Sequence, residues 1–310
     1  MGMLQVVVGL VFVLLLLSLL ATTVMELLAS VMALRGKNLE KALRNMLAYT
    51  DKDEKLLTAF KENSLYKQMG SKYGKSSRSP SYIKDETFQS ILMDIILKGE
   101  GVDKLEARID ELPDEDLRNV LKQFLREADN NVDVFKGKVK WWYNNVDVFR
   151  VKVQGWYNNV MDRASGWYRR YTQKILVGVG FLIAVIFNAD TLAIYERLEN
   201  DPDTLQKVVN LAEDFVDSKD TFDVVTAGDP EFEASLAKLK GLVDNQIETV
   251  RSPLGLGWKN VVWEEVGWYD VVTKILGWIV TALAVSLGAP FWFDLLRKLV
   301  NIRTSGKKPE

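Results

Sequence analysis

The chain has no cysteine, no histidine and only 7 prolines in 310 residues. Without cysteine there is no disulfide framework, no thiolate nucleophile and no iron–sulfur ligand. Without histidine, the usual general base near neutral pH and the commonest metal ligand are both missing. The chemistry that remains belongs to carboxylates, lysine, hydroxyls and tyrosine, so no cofactor or metal is expected and an enzyme is the less favoured reading. A dominant charge is also missing. The 40 Lys+Arg stand against 42 Asp+Glu, which gives no basic field and therefore no nucleic-acid partner.

Apolar sequence is what the chain has in quantity. A spanning helix needs roughly 20 mostly apolar residues. Residues 3–25 (MLQVVVGLVFVLLLLSLLATTVM) satisfy this with no charge. Residues 175–195 satisfy it with Asn188 and Asp190 in the second half, and 275–293 with Pro290 near one end. A signal peptide is the rival for the first segment, but the start is uncharged and the apolar run long, so an uncleaved helix is expected. The expected fold class is all-α: an integral membrane protein with three transmembrane helices and helical cytoplasmic and extracytoplasmic segments.

Basic residues close to membrane ends mark the cytoplasmic side. They follow the first span (Arg35, Lys37, Lys41, Arg44), precede the second (Arg163, Arg169, Arg170, Lys174) and follow the third (Arg297, Lys298, Arg303). The segment from Glu196 to Glu265 is biased toward acid. The expected order is a first transmembrane helix in 1–34, a cytoplasmic helical domain in 35–129, an amphipathic stalk helix in 130–173 and a second transmembrane helix in 174–197. An acidic extracytoplasmic hairpin with a Trp-rich loop in 198–267, a third transmembrane helix in 268–296 and a basic cytoplasmic tail in 297–310 complete it. The N-terminus is then outside and the C-terminus inside.

Within the cytoplasmic part, helical spacing of apolar residues predicts helices over 38–50 (with Asn38 as N-cap), 51–63, 85–97, 102–112 and 114–128. Between them runs a polar, basic loop, 70–83. Gly70 and Gly74-Lys75-Ser76 have the wrong spacing and helical flanks for a phosphate loop. Ser64 and Lys67 match a Ser-x-x-Lys pattern without its companion motifs. Lys72, Lys75 and Arg78 are candidates for contact with anionic headgroups, against a plain solvated loop. Outside, helices are predicted over 203–216 and 230–248, and Trp258, Trp263 and Trp268 are placed for a membrane interface.

Residues 130–168 nearly repeat three times, each unit opening on Asn-Asn-Val and closing on Trp-Tyr, with lengths of 14, 14 and 11. In a strand, the 11-residue unit would flip its Trp to the opposite face. In a helix, 14 residues return within about 40° and 11 within about 20° of the start, so one face is kept. A packing stripe follows: Phe135, Val139, Trp142, Val146, Phe149, Val153, Trp156, Val160, Ala164, Trp167, Tyr171. It is a heptad seam with an extra four-residue step at Val160–Ala164. It packs on cytoplasmic neighbours, on another subunit or on the membrane interface, and runs without a breaker into the second span.

RGKNLEKAL, SPSYIKDETFQSILMD (79–94), NNVMDRASGWYRRYTQ (158–173), FNADTLAIYERL (187–198) and LGWIVTALAVSLGAPFWFDLLRKLVNIRTSGKKP (276–309) resemble a family of uncharacterised bacterial membrane proteins, over nearly the whole chain. The resemblance implies a bacterial membrane protein and no particular activity. The chain departs from the family's pattern in two places: Asn63-Ser64 stands where a His-Pro pair is usual, and one 14-residue unit looks like a local duplication.

Polar groups inside a bilayer are functional candidates by default. Glu26, Asn188, Asp190 and Asp294 are the candidates, with Glu26 and Asp294 expected at interfaces and Asp190 either functional or bonded between helices. Small residues four apart, Gly180 with Ala184 and Ala282 with Ser286, suit close helix packing. The leading expectation is a membrane-anchored scaffold presenting its cytoplasmic helical domain to a protein partner or to a second copy. A subunit of a small oligomeric channel or transporter is the alternative, and a membrane-bound hydrolase has no residue constellation behind it.

Overall fold

The computed structural model describes residues 2–73, 76–130, 138–217, 237, 240, 241, 243, 247–258 and 267–305. These are almost entirely helical, and they divide into two compact units, 32–170 and 1–31 together with 171–310. The predicted helix over 230–248 and Trp263 fall mostly or wholly outside the described residues, as does Phe135.

The 32–170 unit holds α2 (Leu34–Leu47), α3 (Lys55–Glu62), α4 (Ser64–Met69), α5 (Asp85–Leu97), α6 (Leu105–Asp110), α7 (Glu115–Asn130) and the first part of α8 (Lys138–Ile186). Where a polar loop is expected, β1 (Ser71–Tyr73) pairs antiparallel with β2 (Ser76–Arg78). Lys72 and Arg78 lie on these strands; their side chains, and Lys75 altogether, are outside the described residues. Asn38 does not cap α2. It sits inside that helix, and its Nδ2 donates to Ala164 O at 3.2 Å.

The core of this unit is aromatic at its centre. Phe60 and Phe88 lie 5.4 Å apart, and Tyr157 stacks on Phe88 at 4.4 Å and 21°. The Tyr157 hydroxyl donates to Ile83 O at 2.8 Å. Burial, with Tyr82 and Asp85 nearby, pushes that hydroxyl above the ordinary tyrosine value, so it stays protonated as a donor.

From Lys138 onward the repeat forms a helix, and over 146–164 it has one buried seam, which is Val146, Phe149, Val153, Tyr157, Val160 and Ala164. The extra four-residue step therefore falls at Val153–Tyr157, not at Val160–Ala164. Tyr157 displaces Trp156 because a flat ring with a hydroxyl fits both the Phe88 face and the Ile83 carbonyl. Trp156 is half-buried beside it, with its ring edge toward Phe88 and Phe124. Trp167 is 38% exposed. Trp142 lies in α8, and its side chain is outside the described residues. Phe124 meets Trp156, and Glu127 pairs with Lys152 at 2.8 Å. As α7 advances α8 recedes, so the two form an antiparallel hairpin and the seam packs within the chain.

Asp114 ties the start of α7 to the end of α2. It is fully buried, with Oδ1 accepting from Leu117 N and Oδ2 from Thr50 N and Asp51 N. Burial alone would raise its carboxyl, but the hydrogen bonds from Leu117, Thr50 and Asp51 outweigh it and hold the group below the ordinary value of 3.8. Because the folded value is depressed, the contribution to stability is complete above the ordinary value and is lost as pH falls through the folded one. Asp114→Ala should cost about 1–2 kcal/mol, as for a lost cap. Amide exchange at Thr50, Asp51 and Leu117 should rise in that variant at neutral pH, and in the wild type only below about pH 4. Unchanged protection would show that the cap is dispensable.

The other unit is built on α1 (Met3–Val31), the end of α8, α9 (Thr191–Asn200), α10 (Pro202–Asp217), α11 (Glu248–Leu254), α12 (Trp268–Val285) and α13 (Ala289–Ser305). Helix α1 is apolar all round and is packed by its own chain: Phe12 meets Phe215 of α10 at 5.6 Å, and Phe215 meets Phe293 of α13. Among the described residues two helices, α1 and α12, are long and apolar enough to cross a membrane, or three if α8 and α9 count as one broken span bent by 50°.

The expected third span is corrected. The helix ends at Val285 rather than running on past Pro290, and the chain reverses through Gly288 at φ 88°, a conformation glycine adopts without strain. Pro290 then sits in the first turn of α13, where its missing N–H costs nothing. Arg303 Nη1 lies 2.6 Å from Glu213 Oε1, with both side chains largely buried. An ion pair of that length needs both residues on one side of a bilayer, whereas the charge flanks assign Glu213 outside and Arg303 inside.

Candidate functional site

The candidate site is the break between α8 and α9, where Asn188 and Asp190 stand. Asn188 has the left-handed φ of 48°. Ala189 N donates to Ala184 O at 2.7 Å and Asn188 N to Val185 O at 3.1 Å. This is the Schellman pattern, which closes a helix with a residue in the left-handed region; Asn tolerates that conformation better than most side chains. Asp190 then opens α9 as its N-cap, its Oδ1 accepting from Leu192 N at 2.9 Å and Ala193 N at 3.4 Å. One stop signal and one start signal, separated by a single alanine, produce the bend.

Side chains from elsewhere satisfy the polar backbone freed at the break, as backbone groups buried away from water require. Thr281 of α12 accepts from Thr191 N at 3.0 Å, and its hydroxyl is 2.8 Å from Ala189 O and 2.7 Å from Thr191 Oγ1. Trp258 Nε1 donates to Val185 O, and Asn188 Nδ2 to Gly257 O at 2.9 Å. Lys274 Nζ stands 3.7 Å from Asp190 Oδ2, and Asp190 is 6% exposed. Any Cβ on Gly277 would overlap the Asp190 carboxylate. Small residues also let α8 and α12 touch one level away, where Gly180 faces Ala282 and Val285. Asn188 Oδ1 and Trp278 Nε1 are buried with no partner among the described residues.

Of the four polar residues singled out in the sequence, the structure brings together only Asn188 and Asp190. Glu26 lies half-buried inside α1, and Asp294 is exposed on α13. The partners that sequence reasoning missed are Thr191, Gly257, Trp258, Lys274, Gly277 and Thr281. A signal for Lys274 was present: Asp190 and Lys274 are isolated opposite charges in two apolar segments, and such charges pair. The Asn-Ala-Asp triplet was a readable helix boundary. Chemically the site is a brace. The Asp190 carboxylate is occupied by its cap and its lysine, and among the described residues no nucleophile–base pair is assembled around it.

Comparison with family models, with curated proteins and with solved structures returned no match. The class the fold defines is a protein almost entirely helical among the described residues, with two helices, or three if the bent pair is one span, long and apolar enough to cross a membrane.

Proposed function

We propose that the chain is a membrane-anchored interaction protein of the bacterial inner membrane, presenting its 32–170 unit to a protein partner on the cytoplasmic side. What supports this reading is that Asp190 and Thr281 are engaged in holding helices together, while 32–170 has an aromatic core of its own. Basic flanks on both edges of that unit, Arg35 to Arg44 and Arg163 to Lys174, support its cytoplasmic placement. Its exposed Tyr49 and Tyr82, 72% and 67% exposed, are contact candidates, since amphipathic aromatics are enriched where proteins meet. A channel or transporter subunit has less support, because Asp190 faces a lysine and a helix end rather than an open path.

A photo-crosslinking residue at Tyr49 or Tyr82 in the full-length chain should capture one defined adduct in cells, competed by overexpressed 32–170 unit. A diffuse ladder, or none, would remove the proposal. In reconstituted vesicles, wild type and Asp190→Asn should show the same absence of ion flux; flux in the wild type that Asp190→Asn abolishes would favour the channel.

A further inference from the structure

We infer that acyl chains are met by α12 and the outer face of the last turns of α8, whereas α1, the most hydrophobic helix, is an internal strut enclosed by the protein's own helices. This rests on the membrane reading and names the surface that lipid touches.

Hydropathy alone ranks the helices the other way, with α1 far ahead of α12. Burial reverses the ranking: 72% of the apolar window of α1 is buried, against 22% for α12. From Val11 to Ala21 every residue of α1 is buried, which leaves no stripe for lipid along that stretch. The enclosure is close-fitting. Gly9 lets Leu198 of α9 and Val208 of α10 approach to 3.4 Å of where a Cβ would stand. Phe215 wedges between Phe12 and Phe293, and the Arg303–Glu213 pair joins α13 to α10.

Helix α12 has the opposite character. Val272, Ile275, Ile279 and Leu283 follow one another at helical spacing and are 39–55% exposed, and Leu182 and Ile186 of α8 are 60% and 64% exposed. Among the described residues no charge interrupts this face, and Lys274 is engaged with Asp190. Trp268 and Tyr269 stand exposed at the start of α12, where aromatic residues sit at a headgroup boundary. A continuous apolar face of this kind is rare on a protein surrounded by water and is ordinary against hydrocarbon. Hydropathy scales report transfer out of water and do not distinguish a protein interior from a lipid one.

The wild-type chain, reconstituted in vesicles of phosphatidylcholine and phosphatidylglycerol containing a lipid with a photoactivatable diazirine in its acyl chain, tests this. Adducts mapped by peptide mass spectrometry should be several-fold more abundant over 271–287 and 182–186 than over 11–21. Equal or greater labelling over 11–21 would overturn the internal strut while leaving the membrane reading intact. Failure of the protein to float with vesicles, with no adduct anywhere, would overturn the membrane reading itself. Chain-to-chain crosslinks at Ile279 and Leu283 in place of lipid adducts would assign the face to a second copy.

Discussion

Tyr157→Ala should destabilise the chain by about 3–5 kcal/mol, as for other large aromatic truncations in a core. The ring is 1% exposed, stacked on Phe88, and its hydroxyl satisfies Ile83 O. Truncation removes the stacked surface and leaves that carbonyl unpaired. Tyr157→Phe should lose only the hydroxyl, about 1–3 kcal/mol for a buried acceptor left without its donor. Trp156→Ala should cost less than Tyr157→Ala, because Trp156 lies at the edge of the core; denaturant unfolding read on the 32–170 amides checks the order. The reverse order would return the seam to the tryptophan register.

Against that large effect stands a much larger edit with a small one. Deleting 144–157 removes Phe149, Val153, Trp156 and Tyr157, yet the preceding unit supplies Phe135, Val139, Trp142 and Tyr143 at the same spacings. Lys138 likewise takes the place of Lys152 opposite Glu127. Helix α8 alone shortens, by about 21 Å. The deletion variant should therefore remain folded, with far less loss than the single Tyr157→Ala substitution. Complete unfolding would show that the units are not interchangeable.

Gly277→Ala should be the most damaging conservative change in the membrane unit. The new methyl group displaces the Asp190 carboxylate, which cannot move without giving up the α9 cap and the Lys274 pair. Overpacking of this kind costs about 1–3 kcal/mol. Asp190→Ser, a smaller cap of comparable strength, makes room for the methyl group. Gly277→Ala should then cost at least about 1 kcal/mol less in the Asp190→Ser background, a coupling typical of touching residues. Thermal unfolding in one detergent, run as a double-mutant cycle, measures it. Strict additivity would mean that Asp190 and Gly277 do not share the space.

The sequence carried what depends on neighbours along the chain. The apolar spacing of 85–97 and 114–128 placed α5 and α7 within a few residues, and the unequal repeat units selected a helix over a strand, because only the helical period returns both lengths to one face. The stop and start at Asn188 and Asp190 are local too, yet the apolar run of 175–195 reads as one unbroken span and conceals them. The tertiary structure decided what depends on partners distant in sequence. It chose Tyr157 over Trp156, since one residue to either side remains on nearly the same face and the Phe88 and Ile83 sites settle the register. It paired Asp190 with Lys274 and Arg303 with Glu213, both beyond the reach of any periodicity. It also enclosed α1 and left α12 exposed, because an apolar residue is equally served by lipid or by protein, and only the packing of the rest of the chain determines which it meets.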